Sequence, residues 1–117
     1  MSIHPDIFPA ILDSIQENMV LIDKEFKVLY CNKEMSNSLF SFFGKNIQSG
    51  DDYRSFVVPQ SMDLFMTAYT RALQGETLEI EHETSNETFS NWYRYKVNPV
   101  YDSDHSCIGV LLAAKDI

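Results

Sequence analysis

Hydrophobic positions change period several times along the chain, and each change marks an element. Ile7, Phe8, Ile11, Leu12 and Ile15 recur at helical spacing up to Gln16-Glu17-Asn18, so the spacing predicts a short amphipathic helix over 7–17, preceded by a flexible lead-in over 1–6. Met19-Val20-Leu21-Ile22 and Lys27-Val28-Leu29-Tyr30-Cys31 flank the polar Asp23-Lys24-Glu25-Phe26 and read as two strands of a hairpin. Asn32 stands where a helix needs a cap, its side-chain oxygen able to accept a free amide of the first turn, and Glu34 complements the helix dipole. Met35, Leu39, Phe40 and Phe43 are expected as an inward stripe, with Gly44 as the left-handed stop.

Periodicity fades from Asn46 to Val58, where Gly50-Asp51-Asp52 marks a turn and Tyr53, Phe56 and Val57 suggest one helical turn. Pro59-Gln60-Ser61 then opens a longer helix over 60–74, with Met62, Phe65, Met66, Tyr69, Ala72 and Leu73 on one side and Gly75 at its end. Thr77 to Thr84 alternates, Leu78, Ile80 and His82 against Glu79, Glu81 and Glu83; after a polar turn around Ser85-Asn86-Glu87, Trp92 to Val100 alternates again. There Tyr93, Tyr95 and Val97 oppose Trp92, Arg94 and Lys96. Asp102-Ser103-Asp104 turns the chain into a last strand, Cys107 to Lys115. The two alternations fit one another if the strands pair, because Arg94 and Lys96 then face the outer glutamates of the neighbouring strand. The sum is an α+β domain: a five-stranded antiparallel sheet with helices packed on one face and an N-terminal amphipathic helix.

A length of 117 residues suits one domain, expected over 7–117, and a 44% hydrophobic, 13% aromatic composition is ample for a core. Seventeen acidic against nine basic residues give a formal charge of -8, which disfavours nucleic acid and anionic membrane surfaces as partners. The longest apolar run, Gly109 to Ala114, is far below the ~20 residues of a membrane span. Cys31 and Cys107 have no CxxC or histidine frame, so neither a disulfide scaffold nor a zinc site is signalled, and a reducing cytoplasm is expected.

Particular residues carry a resemblance. Leu12-Asp13-Ser14-Ile15 leading into Met19-Val20-Leu21-Ile22-Asp23, then Val28-Leu29-Tyr30-Cys31-Asn32, Ala72-Leu73-Gln74-Gly75-Glu76, Asn98-Pro99-Val100-Tyr101-Asp102, Ile108-Gly109-Val110 and Lys115-Asp116-Ile117 together resemble a PAS domain over about residues 8–117. The resemblance implies a sensory or regulatory input module of signalling proteins such as the sensor histidine kinases of two-component systems, bacterial by family habit. It further implies that this is a piece excised from a longer polypeptide carrying the effector. Asp116 and Ile117 would relay the signal into a linker, and N-terminal helices of this family often form dimer contacts, so a homodimer is expected. Two departures stand out: where the family often has Asp-x-x-Gly in its hairpins, Phe26 stands in the first turn and His105 with Ser106 in the last. Those turns are expected to use another geometry or a longer loop, since a non-glycine residue seldom accepts positive φ.

The candidate ligand-binding residues are Met66, Tyr69, His82, Tyr93 and Tyr95. Tyrosine hydroxyls within an apolar cavity suit a small polar ligand, and equally the rings could fill that space themselves. His82 either donates to a ligand or is a satisfied core histidine. Met35, Met62 and Met66 either make an adaptable pocket or a plain core stripe. Arg94 and Lys96 would clamp a carboxylate ligand only if the strand phase were opposite. The cofactor is open. Haem is disfavoured, because 59–75 hold no histidine, and a cysteine-reactive flavin is disfavoured by the contexts of Cys31 and Cys107. Asp104-His105 lacks a nucleophile placed with it, the acidic row Glu76 to Glu87 reads as a solvated sheet face, and no catalytic or metal residues are assigned. The expected function is a small-molecule sensor relaying to an effector domain in the same polypeptide; the alternative is a ligand-free module for dimerisation or protein contact, and an enzyme is not expected. The stripe of the first helix suits either its own sheet or a partner's.

Overall fold

The switch from helical to alternating spacing is realised in the computed structural model, which describes residues 7–85, 88 and 90–117. Its elements are α1 (Ile7–Ser14), β1 (Asn18–Asp23), β2 (Val28–Cys31), α2 (Lys33–Phe43), 3-10 turns at Tyr53–Phe56 and Pro59–Ser61, α3 (Met62–Leu73), β3 (Leu78–Ser85), β4 (Ser90–Tyr101) and β5 (Cys107–Asp116). The expected lead-in over 1–6 lies outside the described residues, as do Asn86, Glu87 and Phe89 and the side chains of Phe8, Pro9 and Leu12.

The strands form one antiparallel sheet in the order β2-β1-β5-β4-β3, so the first and last strands of the chain pair at its centre. The expected phases hold: Ile80 pairs with Tyr95 and His82 with Tyr93 on the inner face, while Glu79 pairs with Lys96 and Glu81 with Arg94 on the outer. Arg94 reaches both Glu79 (3.4 Å) and Glu81 (3.2 Å), so its charge is used outside the sheet. Val20, Ile22, Val97, Val110 and Leu112 from the inner face meet Met35, Leu39, Phe56, Ala68, Tyr69 and Ala72 from the helical side in a single core. Gly109 sits where β5 runs closest to β1: a Cβ there would collide with the Ile22 carbonyl oxygen.

Four expectations are revised. The first helix ends at Ser14, three residues early, because the Glu17 carbonyl accepts the Asn32 side-chain amide (2.8 Å) and the chain is already turning into β1. Ile7 and Ile11 on that helix are exposed. Phe40, expected inward, is 51% exposed, whereas Phe42 lies inward. At about 100° per residue Phe40 stands about 140° round from Met35, off the stripe that Met35, Leu39, Phe42 and Phe43 define. The helix expected over 60–74 is a 3-10 turn followed by an α-helix from Met62.

The fourth revision concerns the turns. Phe26 and His105 themselves take the left-handed conformation, at φ 68° and 61°. Each turn is held by the aspartate that opens it. Asp23 Oδ1 accepts the amides of Glu25 (2.8 Å) and Lys27 (2.9 Å), and Asp102 Oδ1 accepts those of Asp104 (2.8 Å) and Ser106 (3.0 Å). The Asp carboxylate therefore enforces the geometry that glycine would otherwise ease.

Candidate functional site

The register grades the inner face of the sheet from apolar to polar. Val20, Leu112, Val97 and Leu78 lie in one row; the next row toward the β4 start brings Asn18, Ala114, Tyr95 and Ile80 together. Beyond it come Tyr93 opposite His82, and then Thr84. Facing this surface, α2 presents Met35, Ser38, Leu39 and Phe42, and the segment from Tyr53 to Tyr69 presents Tyr53, Phe56, Leu64, Phe65 and Ala68. Between the two layers lies a cavity of about 130 Å³.

Four of the five residues expected at a pocket meet there: Tyr69, His82, Tyr93 and Tyr95 all line the cavity. Met66 does not, since α3 turns Phe65, Ala68 and Tyr69 inward and Met66 stands about 100° round from Phe65. Arg94 and Lys96 also lie outside the lining, as the strand phase requires.

Most polar groups of the wall are already used within the fold. The Tyr69 hydroxyl donates to the Asp23 carbonyl, tying α3 to the first hairpin, and its ring stacks on Phe26 at 4.4 Å between centroids. The Tyr95 hydroxyl pairs with Thr84 Oγ1 (2.6 Å), His82 Nε2 with Ser61 Oγ (2.9 Å), and Ser38 Oγ donates to Asn18 Oδ1 (3.1 Å). His82 thus bridges β3 to the turn that opens α3. Burial is the main cause that raises the pKa of Tyr95, keeping it a neutral phenol. Cys31, beside the core at the end of β2, is pushed up to about 12 by burial and then by the Asp13 carboxylate, so it is an inert thiol.

Tyr53 is different. It is 5% exposed, burial holds its pKa well above the ordinary phenol value, and its ring packs at 5.6 Å from Phe65 and 6.5 Å from Phe56. Yet its hydroxyl has no hydrogen-bond partner among the described residues, while no wholly enclosed side-chain polar atom lacks one. Tyr53 lines the cavity, and its unpartnered oxygen is not wholly enclosed by protein. Sequence reasoning missed this residue as a site candidate, because a single 3-10 turn leaves no periodic trace; its signal was an aromatic pair, Tyr53 and Phe56, in a segment otherwise polar.

At this same end of the sheet, the Ile117 amide donates to the Trp92 carbonyl (3.0 Å) and Asp116 pairs with Tyr93. The chain end expected to carry a signal is thus bonded to the strand that supplies Tyr93 and Tyr95. Among the described residues, no group of three or more His, Cys, Asp and Glu side chains could hold a metal ion, and no helix is long and apolar enough to cross a membrane.

An antiparallel five-stranded sheet with its terminal strands paired at the centre, and an apolar cavity under a helical cover, defines a small α+β class. Within it the chain belongs to the PAS family: the family model described as PAS fold matches residues 12–117. PAS domains are generally sensory rather than catalytic. Among solved structures, a PAS domain from Colwellia psychrerythraea is similar at a TM-score of 0.72 and 17% identity, covering 96% of this chain and 95% of that one. A sensory box sensor histidine kinase from Vibrio cholerae matches at 0.63 and 15%, over 95% and 90% of the two chains. The phage VqmA-DPO complex matches at 0.74 and 12%, over 95% of this chain and 51% of the other. Identities this low speak to the fold alone. No curated protein matches significantly.

Proposed function

We propose that the chain is the sensory input of a cytoplasmic bacterial signalling protein. A small molecule occupies the cavity between α3 and the inner sheet face, favours one arrangement of β4 and β5, and the difference passes through Asp116 and Ile117 to an effector domain in the same polypeptide. The observation that carries this reading is the cavity of about 130 Å³ itself: well-packed cores leave few voids larger than a water molecule. Its wall includes β4 and β5, and β5 ends at the chain end bonded to Trp92. A ligand can shift the equilibrium only by its difference in affinity for the two states, and contacts on a strand that moves supply such a difference. The solved sensor histidine kinase domain of like fold is consistent with an effector of that kind.

A second reading is favoured by α1, whose Ile7 and Ile11 are 39% and 49% exposed. In this reading the helix covers a second copy, and the domain serves dimerisation or docking without a guest. Native mass spectrometry of the purified domain, compared with its denatured mass, separates the two. A reproducible extra mass lost on denaturation is the expected result; a bare dimer that resists every added small molecule would overturn the sensor reading in favour of the second.

A further inference from the structure

We infer that the cavity's ligand is a neutral, single-ring molecule carrying one hydrogen-bonding group, recognised through the hydroxyl of Tyr53. The inference rests on the sensory reading above and adds the chemistry of its signal.

Size comes first. An engineered apolar cavity of ~150 Å³ lined by Leu, Ile and Phe takes up benzene, and the volume here is about 130 Å³. One six-membered ring fills that space. Shape agrees, because Phe42, Phe56, Phe65 and Tyr53 bring flat ring surfaces to the wall, and rings pack on rings in offset or edge contacts.

Charge comes next. Among the described residues, no Asp, Glu, Lys or Arg lines the cavity. His82 uses Nε2 on Ser61, and Tyr95 is paired with Thr84. A carboxylate or ammonium entering this wall would leave water without a countercharge to replace it, a cost that a neutral molecule avoids. The basic residues of β4 and β5, Arg94, Lys96 and Lys115, are on the opposite face of the sheet, where Arg94 is held by Glu79 and Glu81.

Two lining hydroxyls have no partner among the described residues, those of Tyr53 and Tyr93, and Tyr93 is only half-buried whereas Tyr53 belongs to the core. Tyr53 is a buried residue whose neutral hydroxyl keeps an opening and has no partner among the described residues. A ring bearing a hydroxyl, carbonyl or ring nitrogen satisfies it; a pure hydrocarbon leaves it as it is. A phenol hydroxyl can accept or donate, so the guest's group is fixed in place rather than in type.

The test uses the whole 117-residue chain and four probes of matched size: phenol, toluene, benzoate and benzylammonium. Methyl NMR signals of Ala68, Val97 and Leu112 report occupancy. Phenol is expected to bind saturably, with benzoate and benzylammonium at least tenfold weaker. Tyr53→Phe, which keeps the ring in the core, is expected to weaken phenol roughly 5- to 20-fold, as loss of one buried hydrogen bond implies, and to leave toluene within about twofold. Ala68→Leu, which fills the space, should abolish binding of both. Charged probes binding as tightly as phenol would overturn the ligand class and leave the sensory reading standing. Equal phenol affinity in Tyr53→Phe would overturn the role of Tyr53, and binding that survives Ala68→Leu would move the site elsewhere. Silence from all four probes overturns the ligand class; the native mass measurement then decides whether the sensory reading falls with it.

Discussion

Phe26 and His105 occupy the left-handed region in two turns built alike, each closed by an aspartate that accepts two amides, yet they are not equivalent. A side chain at such φ costs about 1–2 kcal/mol, and glycine removes that strain while adding ~0.5–1 kcal/mol of backbone entropy to the unfolded chain. His105 is exposed and has no packing to lose, so His105→Gly is expected to gain roughly 0.5 kcal/mol in denaturant unfolding. Phe26 stacks on Tyr69 at 4.4 Å and lies 4.2 Å under the Arg54 guanidinium. Losing that ring forfeits more than the strain returns, and Phe26→Gly should cost about 2 kcal/mol. If both variants moved stability in the same direction by the same amount, the ring contacts would carry no energy and the strain account would be wrong. The sequence showed that glycine was missing at both turns. It did not show that the aspartate's two bonds suffice to hold a bulky residue there, because that depends on where the amides point once the hairpin has closed.

At the scale of elements, Asn32 joins two of them, and the link that precedes β1, with one side chain. Its Oδ1 accepts the amides of Met19 in β1 (3.0 Å) and Met35 in α2 (3.0 Å), and its Nδ2 donates to the Glu17 carbonyl that ends the approach to β1. It is fully buried. Truncation strands two donors and one acceptor away from water, at ~1–3 kcal/mol for each group left unsatisfied, with partial relaxation. Asn32→Ala is therefore expected to cost about 3 kcal/mol in urea titrations, against less than about 0.5 kcal/mol for Asn37→Ala on the exposed side of α2. A loss under about 1 kcal/mol at Asn32 would show that water takes over these bonds. The capping role was legible, since a polar residue before a helical stripe has few other uses. The bonds to Met19 and Glu17 were not, because they span 13 and 15 residues and arise only when β1 and α2 meet. The same division runs through the site: strand phase puts His82, Tyr93 and Tyr95 on the inner face, where they line the cavity, whereas Tyr53 and Phe56 sit on a 3-10 turn without periodicity and Met66 lies outside the lining.

For the whole molecule, the decisive property is that one sheet carries both the cavity wall and the chain's end. Ala114 in β5 pairs with Tyr95 and Asn18, all three at the cavity, and two residues on Asp116 pairs with Tyr93 before Ile117 bonds to Trp92. A change in the packing behind Tyr93 and Tyr95 is thus one ladder step from the last residue, while β2 lies three positions from β4, beyond β5 and β1. Filling the cavity from the protein's own side tests this coupling without any ligand. Ala68 is buried on α3 and faces the space, so Ala68→Leu should add ~0.5–2 kcal/mol of stability, provided that the leucine enters the void rather than the neighbouring rings. Hydrogen exchange then reads where that stability goes. If occupancy is transmitted along the sheet, protection rises at the amides of Tyr93, Tyr95, Ala114 and Ile117 beyond the global gain and rises less at Leu29 and Tyr30 in β2. Protection confined to α3, with the β4 and β5 amides unchanged relative to β2, would mean that the cavity and the chain's end are independent, and the relay through Asp116 and Ile117 would have to be abandoned even if a ligand binds.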